Sequence, residues 1–393
     1  MMFLSGVALT FAMLAHCAGV EAQATAVVHV VKPPYGLTLE NGVLLRGGKP
    51  YRGIGVNFFD AFLRTLADPS QTNYDEGFRA LAQLGIPFAR ICGCGFWPAE
   101  MKLYLTNRAE YFHRFDGVVR SAERYGVGLI PSLFWYYPCV PDLVGEPCDQ
   151  WGNTHSRTHA FMREYVRDVV TRYHDSPAIW GWEFGNEYNL AANLPNASDH
   201  RPPVAPTLGT PSQRTARDEL TYEMIRTAFA AFGREVRRYD PYRVILTGDS
   251  ILRDSAWHNW KENNWTKDSP EQFAEMLSAD NPDPLDLISV HIYDKAAARL
   301  TNILAAARGL NKPVFVGEFG AKGPRAESEA AFRALLSALE TNSVPLAAVW
   351  VFDFQPQDKE WNITTSNDRA FQLKAVAEAN RRIQARSGIT EKP

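Results

Sequence analysis

The sequence predicts an α/β domain closed as a (β/α)8 TIM barrel, and three observations lead there. Eight short runs rich in Val, Ile, Leu, Phe and Trp recur from residue 51 onward. Longer amphipathic runs separate them, and turn residues bound each one. No repeat, low-complexity tract or linker divides the chain. Strands that alternate with helices pair in parallel, and eight is the number at which such a sheet closes on itself. A doubly wound open sheet is the competing topology. It requires a phosphate-binding glycine turn after its first strand, and Gly53-Ile54-Gly55-Val56-Asn57 is not that pattern.

The elements follow in chain order. Met2 to Val20 is mostly apolar and lacks Lys and Arg, and small residues follow at Val20-Glu21-Ala22 and Ala22-Gln23-Ala24. Residues 1–24 read as an export signal, which places the protein outside the cell or in a periplasm. His16 before Cys17 makes a poor lipobox, so a cleaved signal is favoured over a lipid anchor. Residues 25–393 then form one catalytic domain. Asn41-Gly42 and Gly47-Gly48 make 37–50 a β-hairpin that closes the barrel bottom. The strands are expected at 51–59, 88–96, 126–135, 179–188, 244–250, 286–294, 313–320 and 346–354. Helical patterns fill the gaps at Tyr111 to Tyr125, Thr158 to His174, Arg214 to Tyr239, Glu327 to Thr341 and Asp368 to Arg386. Ser269-Pro270-Glu271-Gln272 combines a cap, a first-turn Pro and a Gln that closes a capping box.

Composition narrows the partners. The net charge of -3 removes any basic excess for nucleic acid or an anionic membrane, and the N-terminal apolar run is too short and interrupted for stable membrane insertion. Oligomeric state is not legible. Four cysteines remain after the signal, an even number that permits disulfides in an exported chain. Cys139 and Cys148 bracket a short Pro/Gly loop that a disulfide bond would clip, whereas Cys92 and Cys94 would share one side of a strand. The four spacings match no standard zinc site. Long loops at 136–157, 189–212 and 251–269 share the face where barrel active sites sit, and two are aromatic: Tyr136, Tyr137 and Trp151, then Trp257, Trp260 and Trp265.

Two carboxylates carry the functional reading. The fourth strand ends in Asn186-Glu187 and the seventh in Gly317-Glu318-Phe319-Gly320, so both Glu side chains fall at the barrel mouth on opposite sides. Glycoside hydrolysis needs such a pair, one to protonate the leaving oxygen and one to attack the anomeric carbon. Proximity of Glu318 and aromatic surroundings should raise the pKa of Glu187, the acid. Arg90, ending the second strand, should keep Glu318 ionised and partner the deeper Glu183. His291 and Tyr293 share a face of the sixth strand, with Tyr293 within reach of Glu318. Trp350, ending the eighth strand, would floor the sugar site. Asn186 would bind a sugar 2-hydroxyl, provided the strand end is irregular, because regular alternation turns it away from the side of Glu187.

Arg90, Asn186-Glu187, His291-x-Tyr293, Gly317-Glu318-Phe319-Gly320 and Trp350 together resemble clan A glycoside hydrolases, most closely the cellulase-type family 5. The likeness runs from the hairpin through the eighth strand. It implies Glu187 as acid/base and Glu318 as nucleophile of a retaining β-glycosidase that needs neither cofactor nor metal. The implied substrate is a β-linked polysaccharide or oligosaccharide, with β-mannan or β-glucan favoured. Where many members carry His or Asn near the end of the third strand, this chain has Trp135, which leaves the sugar open. Two other readings stand beside this one. An inactive carbohydrate-binding barrel would be expected to lack one carboxylate, and a metal-dependent hydrolase would rest on His155 and His159, four residues apart.

Overall fold

A computed structural model describes residues 36–293 and 298–387. The expected export signal lies outside these residues. A small three-stranded antiparallel sheet comes first: β1 (Leu37–Glu40), β2 (Val43–Arg46) and β3 (Lys49–Pro50). Sequence predicted a hairpin here; a second turn adds the third strand. Asn41 and Gly42 have φ of 51° and 75°, and Gly47 and Gly48 have 57° and 75°. Both two-residue loops therefore hold left-handed residues at both positions, the twist that suits a tight hairpin.

Eight parallel strands follow: β4 (Gly53–Asn57), β5 (Phe88–Cys92), β6 (Gly128–Phe134), β7 (Gly181–Gly185), β8 (Val244–Leu246), β9 (Ile288–Tyr293), β10 (Val314–Gly320) and β11 (Leu346–Val349). They pair in the order β8-β7-β6-β5-β4-β11-β10-β9, so the sheet wraps around on itself. The seam between β8 and β9 is bridged by Asp286 N–H on the Ile245 carbonyl at 2.8 Å and Gly248 N–H on Ser289 Oγ at 3.1 Å. Nearly every strand residue is buried, as expected of a sheet with side chains packed on both faces.

The connecting helices are α1 (Leu63–Ala67), α2 (Tyr74–Leu84), α3 (Pro98–Thr106), α4 (Arg108–Tyr125), α5 (Cys139–Val144), α6 (Arg157–Tyr173), α7 (Tyr222–Tyr239), α8 (Ala256–Glu262), α9 (Pro270–Ala279), α10 (Leu300–Gly309), α11 (Arg325–Thr341) and α12 (Ala370–Ser387). Their inner faces pack on the barrel exterior in one large apolar cluster. Ser269 caps α9 as expected, with Gln272 N–H on Ser269 Oγ at 3.2 Å and Ser269 N–H on Gln272 Oε1 at 2.7 Å. The helix expected from Arg214 begins only at Tyr222, because Thr221 caps there and Ala216–Asp218 forms a separate 3-10 turn. Asn380 of α12 both donates to and accepts from the Ile54 backbone, which fastens the last helix to the first barrel strand.

A second apolar cluster fills the barrel's lower interior, with Phe88, Ile130, Trp180, Leu246 and Phe315 sealed from below by Leu37 and Leu44. The N-terminal sheet is therefore the plug that its sequence suggested. At the other end the strands stop earlier than their apolar runs. β8 ends at Leu246 because Gly248 takes φ 79°, and a Cβ there would fall 1.9 Å from the Gly185 carbonyl oxygen.

No disulfide clips the third loop. Cys92, Cys94, Cys139 and Cys148 are all free and buried. Cys139 opens α5 with its sulfur toward the Gly95 carbonyl oxygen at 3.4 Å. Cys148 begins the following 3-10 turn. The loop is instead fastened by Arg214, which grips Asp142 through two contacts of 2.6 and 2.7 Å in a buried pair. Burial pushes the thiols of Cys92, Cys139 and Cys148 well above the usual range, which suppresses the reactive thiolate. All four described thiols are expected to react with an aromatic disulfide reagent only after denaturation. Rapid reaction of two or more in the folded protein would contradict the packing.

Candidate active site

Arg90 lies in the middle of β5, fully buried, and organises the barrel mouth. Its Nε donates to Glu183 Oε1 at 2.7 Å. Nη1 donates to Glu318 Oε1 at 2.9 Å and to Asn57 Oδ1 at 3.0 Å, and Nη2 to Asn186 Oδ1 at 2.8 Å. The guanidinium stacks on the Trp135 ring at 4.3 Å. One planar fork thus contacts groups from β4, β7 and β10, a geometry that an ammonium cannot reproduce. Burial alone would lower its pKa, but Glu183 and Glu318 favour the cation and hold it above the ordinary Arg range. Glu183 behaves oppositely: burial outweighs Arg90 and lifts its carboxyl above the usual value.

Glu318 projects from a bulge in β10. The register with β9 shifts between Val316 and Glu318, so that Glu318 pairs with His291. Gly317 occupies the extra position, where a Cβ would lie 2.9 Å from His291 Nε2, and its carbonyl accepts from Asn57 Nδ2 at 2.9 Å. The space beside this glycine belongs to the His291 ring. The bulge aims the carboxylate into the mouth, a common use of such irregularities beside active sites. Tyr293 donates to Glu318 Oε2 at 2.7 Å, so both carboxylate oxygens are held.

Glu187 follows β7 with φ 54°. This left-handed residue supplies the irregular strand end that Asn186 required. It reverses the expected alternation and lets neighbouring side chains serve the same pocket. His291 Nδ1 donates to Glu187 Oε1 at 2.8 Å and lies 3.5 Å from Glu318 Oε2. Oxygens of the two carboxylates lie within 4.8 Å of each other. The pKa of Glu187 departs from expectation. Burial pushes it up, but the hydrogen bond and field of His291, a Ser250 hydrogen bond and the Arg90 charge hold it below its ordinary value. The aromatic surroundings counted on in the sequence are outweighed by donors that folding brings from β8 and β9.

Glu187 and Glu318 line a cleft of about 740 Å³ with Asn186, Tyr293, Trp135 and Trp350. Trp350 follows β11, and its Nε1 donates to Gln357 at 2.9 Å. Trp135 is only 4% exposed; it braces Arg90 more than it offers a face to a ligand. Sequence reasoning missed Phe59, Phe96, Trp97, Phe354, Gln357 and Trp361 in the same wall. The signal for Trp361 was its place in the loop after the eighth strand. Asn57 was also missed, although it is a polar residue ending the first strand. The aromatic loops contribute less than expected. Trp151 is fully buried, Trp257 bonds Glu275, and neither they nor Trp260 and Trp265 line the cleft.

The His155 and His159 pair does not form a metal site: His155 precedes α6, and His159 is buried with Nε2 on the Trp151 carbonyl at 2.7 Å. Glu187, His291 and Glu318 do converge closely enough for a cation. Arg90 already places a positive charge against Glu318, and Tyr293 holds its other oxygen, so the acidic cluster is matched by protein groups.

Comparison with known proteins agrees with this geometry. The family described as Cellulase (glycosyl hydrolase family 5) matches residues 54–354, which takes in β5, β7, β9, β10 and β11 entire. The chain belongs to glycosyl hydrolase family 5. Within it, a 139-residue stretch is 36% identical to a probable mannan endo-1,4-beta-mannosidase F of Aspergillus flavus, covering 30% of this chain and 30% of that protein. A 200-residue stretch is 31% identical to mannan endo-1,4-beta-mannosidase F of Aspergillus clavatus, covering 48% of this chain and 37% of that one. The chain spans about a third of the length of these curated relatives. The crystal structure of an endo-1,4-beta-mannanase from Rhizomucor miehei superposes with a TM-score of 0.66 at 17% identity, covering 88% of this chain and 99% of that one. That likeness concerns the fold.

Replacing Arg90 with Met should cost about 3–5 kcal/mol near neutral pH, because Glu183 is left buried without its cation. Without Arg90 the folded Glu183 pKa rises further, so the folded state binds more protons than the unfolded one and stability falls as pH rises. The deficit should therefore shrink in mild acid, and a second change, Glu183→Gln, should recover part of it. Denaturant unfolding at two pH values checks this; a deficit independent of pH would contradict the pairing.

Proposed function

We propose that this family 5 barrel is a retaining β-glycosidase acting on a β-1,4-linked mannan, with Glu318 as nucleophile and Glu187 as acid/base. The observation that carries the proposal is the carboxylate pair, whose oxygens lie within 4.8 Å at the barrel mouth. That spacing suits double displacement; an inverting pair stands farther apart to admit water. Glu318 attacks the anomeric carbon while Glu187 gives its proton to the departing glycosidic oxygen. Water then attacks the glycosyl ester, losing its proton to Glu187 and releasing Glu318, so the configuration is retained. Arg90 and Tyr293 each donate to one oxygen of the nucleophile and so fix its orientation. In the free protein Glu187 is ionised, and it takes up its proton when a bound sugar strips water from it and strengthens the desolvation that already pushes it upward.

The mannan reading draws on the names of the relatives, and it narrows the mannan-or-glucan choice that the residues left open. A cleft open to solvent also favours a chain over a single sugar. Beyond Leu63, Phe354 and Pro356 it adjoins a second hollow of about 590 Å³, with Asp60, Asp353, Gln71 and Asn73 in its wall. Carboxylates and amides beside an apolar ridge fit the hydroxyl edges and flat faces of further sugar units. Among the described residues no helix is long and apolar enough to cross a membrane. We read residues 1–24 as a removed export signal; a denatured thiol count of four rather than five in the exported protein supports that, because Cys17 would leave with it.

Hydrolysis of β-mannan should exceed that of β-glucan, with Glu318→Ala lowering turnover on the order of 10⁴-fold. Azide should then restore part of the rate and yield a glycosyl azide of inverted configuration. Rescue through the retained configuration would contradict Glu318 as nucleophile. His291→Ala removes the donor that depresses Glu187, so the Glu187 pKa rises and the acid stays protonated to higher pH. The alkaline limb of kcat/KM on an unactivated substrate should accordingly move upward; a downward move would count against the acid role.

A further inference from the structure

We propose that Asn189 and Arg253 are positioning residues for Glu187, fastening the turn that follows it to the loop after β8. The inference rests on Glu187 being the acid/base. It begins from the backbone. Glu187 is held at φ 54°, a conformation that a non-glycine residue keeps only when its surroundings enforce it. The sheet enforces one side: Gly185 N–H reaches the Thr247 carbonyl and Glu187 N–H the Gly248 carbonyl, both at 3.0 Å. From Tyr188 onward the chain leaves the sheet for a 3-10 turn, Tyr188–Leu190, too short to hold itself.

Side chains take over there. Asn189 is 2% exposed and pairs with the Ser250 backbone in both directions, Nδ2 donating to its carbonyl at 2.8 Å and Oδ1 accepting its N–H at 3.2 Å. This imitates a further rung of the β7–β8 ladder. Asn189 N–H donates to the carboxylate of Asp249 at 3.2 Å. Arg253 then caps the far end of the turn. Its Nη1 donates to the carbonyls of Asn189 and Leu190, both at 2.9 Å, and its Nη2 to that of Ala192. The guanidinium is itself held by Asn259 Oδ1 at 2.9 Å and by the Tyr222 hydroxyl. None of Asn189, Asp249 or Arg253 lines the cleft. They act on chemistry only through the placement of Glu187 against His291. Released from this clamp, Glu187 would relax toward a right-handed or extended backbone and swing its carboxyl away from the glycosidic oxygen.

The test uses a leaving-group comparison. Asn189→Ala and Arg253→Lys are measured on a mannan substrate, which needs a proton on the leaving oxygen, and on a dinitrophenyl β-mannoside, which does not. Active sites are titrated with a covalent fluorosugar, so that misfolded protein drops out of the count. Displacing the acid should lower kcat on mannan roughly 10–100-fold and on the aryl mannoside by less than about threefold. Equal losses on the two substrates, or none, in both variants would overturn the proposal. Glu187→Ala runs beside them. Selectivity there without selectivity in Asn189→Ala and Arg253→Lys removes the clamp alone; absence of selectivity in Glu187→Ala removes the acid assignment and the clamp with it.

Discussion

The site depends on the guanidinium of Arg90. A cation with no exposure sits between Glu183 and Glu318 and contacts the amides of Asn57 and Asn186. Each buried carboxylate would be costly alone, and so would the cation; together their charges are compensated and most of their hydrogen bonds are met. The planar fork also sets direction, since its donors reach three other strands at once. Glu318 is therefore oriented by a group rooted in the sheet and braced by Trp135, and no mobile loop is needed to hold it.

Around that hub, the working parts sit where regular structure breaks. β10 bulges at Gly317 to aim Glu318, β7 is followed by left-handed Glu187, and the chain turns aside after β8 at Gly248. Two of these breaks have a close neighbour that excludes a side chain: the His291 ring beside Gly317 and the Gly185 carbonyl beside Gly248. The lower barrel shows the opposite regime. There Phe88, Ile130, Trp180 and Phe315 fill the interior under a sealed floor, and the strands pair without irregularity. Rigid packing below carries the strain above, which is the usual division of labour in a barrel with loops on one face.

Electrostatics separates the two glutamates. Glu318 receives a charged donor and a phenol, both suited to an anion. Glu187 faces an imidazole and a hydroxyl, and its side chain is 30% exposed at the cleft. The first environment occupies both carboxylate oxygens; the second leaves part of its carboxylate open to the cleft. Two identical side chains are given different surroundings by the fold.

The strand and helix order, the barrel class, the N-terminal plug and the two carboxylate partners of Arg90 were legible in the sequence. These rest on periodicity, on turn residues such as Asn41-Gly42, and on the rule that strand ends meet at one face. Only the tertiary structure decided which residues share a pocket. Trp257 and Trp260 looked like sugar platforms but pack against the core away from the cleft, while Trp361 lines the cleft and Asn57 holds Arg90. Cys139 and Cys148 looked bridged but are held apart by a helix and a turn. The depressed pKa of Glu187 follows from His291 and Ser250, 104 and 63 positions away along the chain. Periodicity and turn chemistry are local and leave their mark on neighbouring residues. Pocket membership and proton affinity depend on distances through space, which exist only once the strands have closed around Arg90.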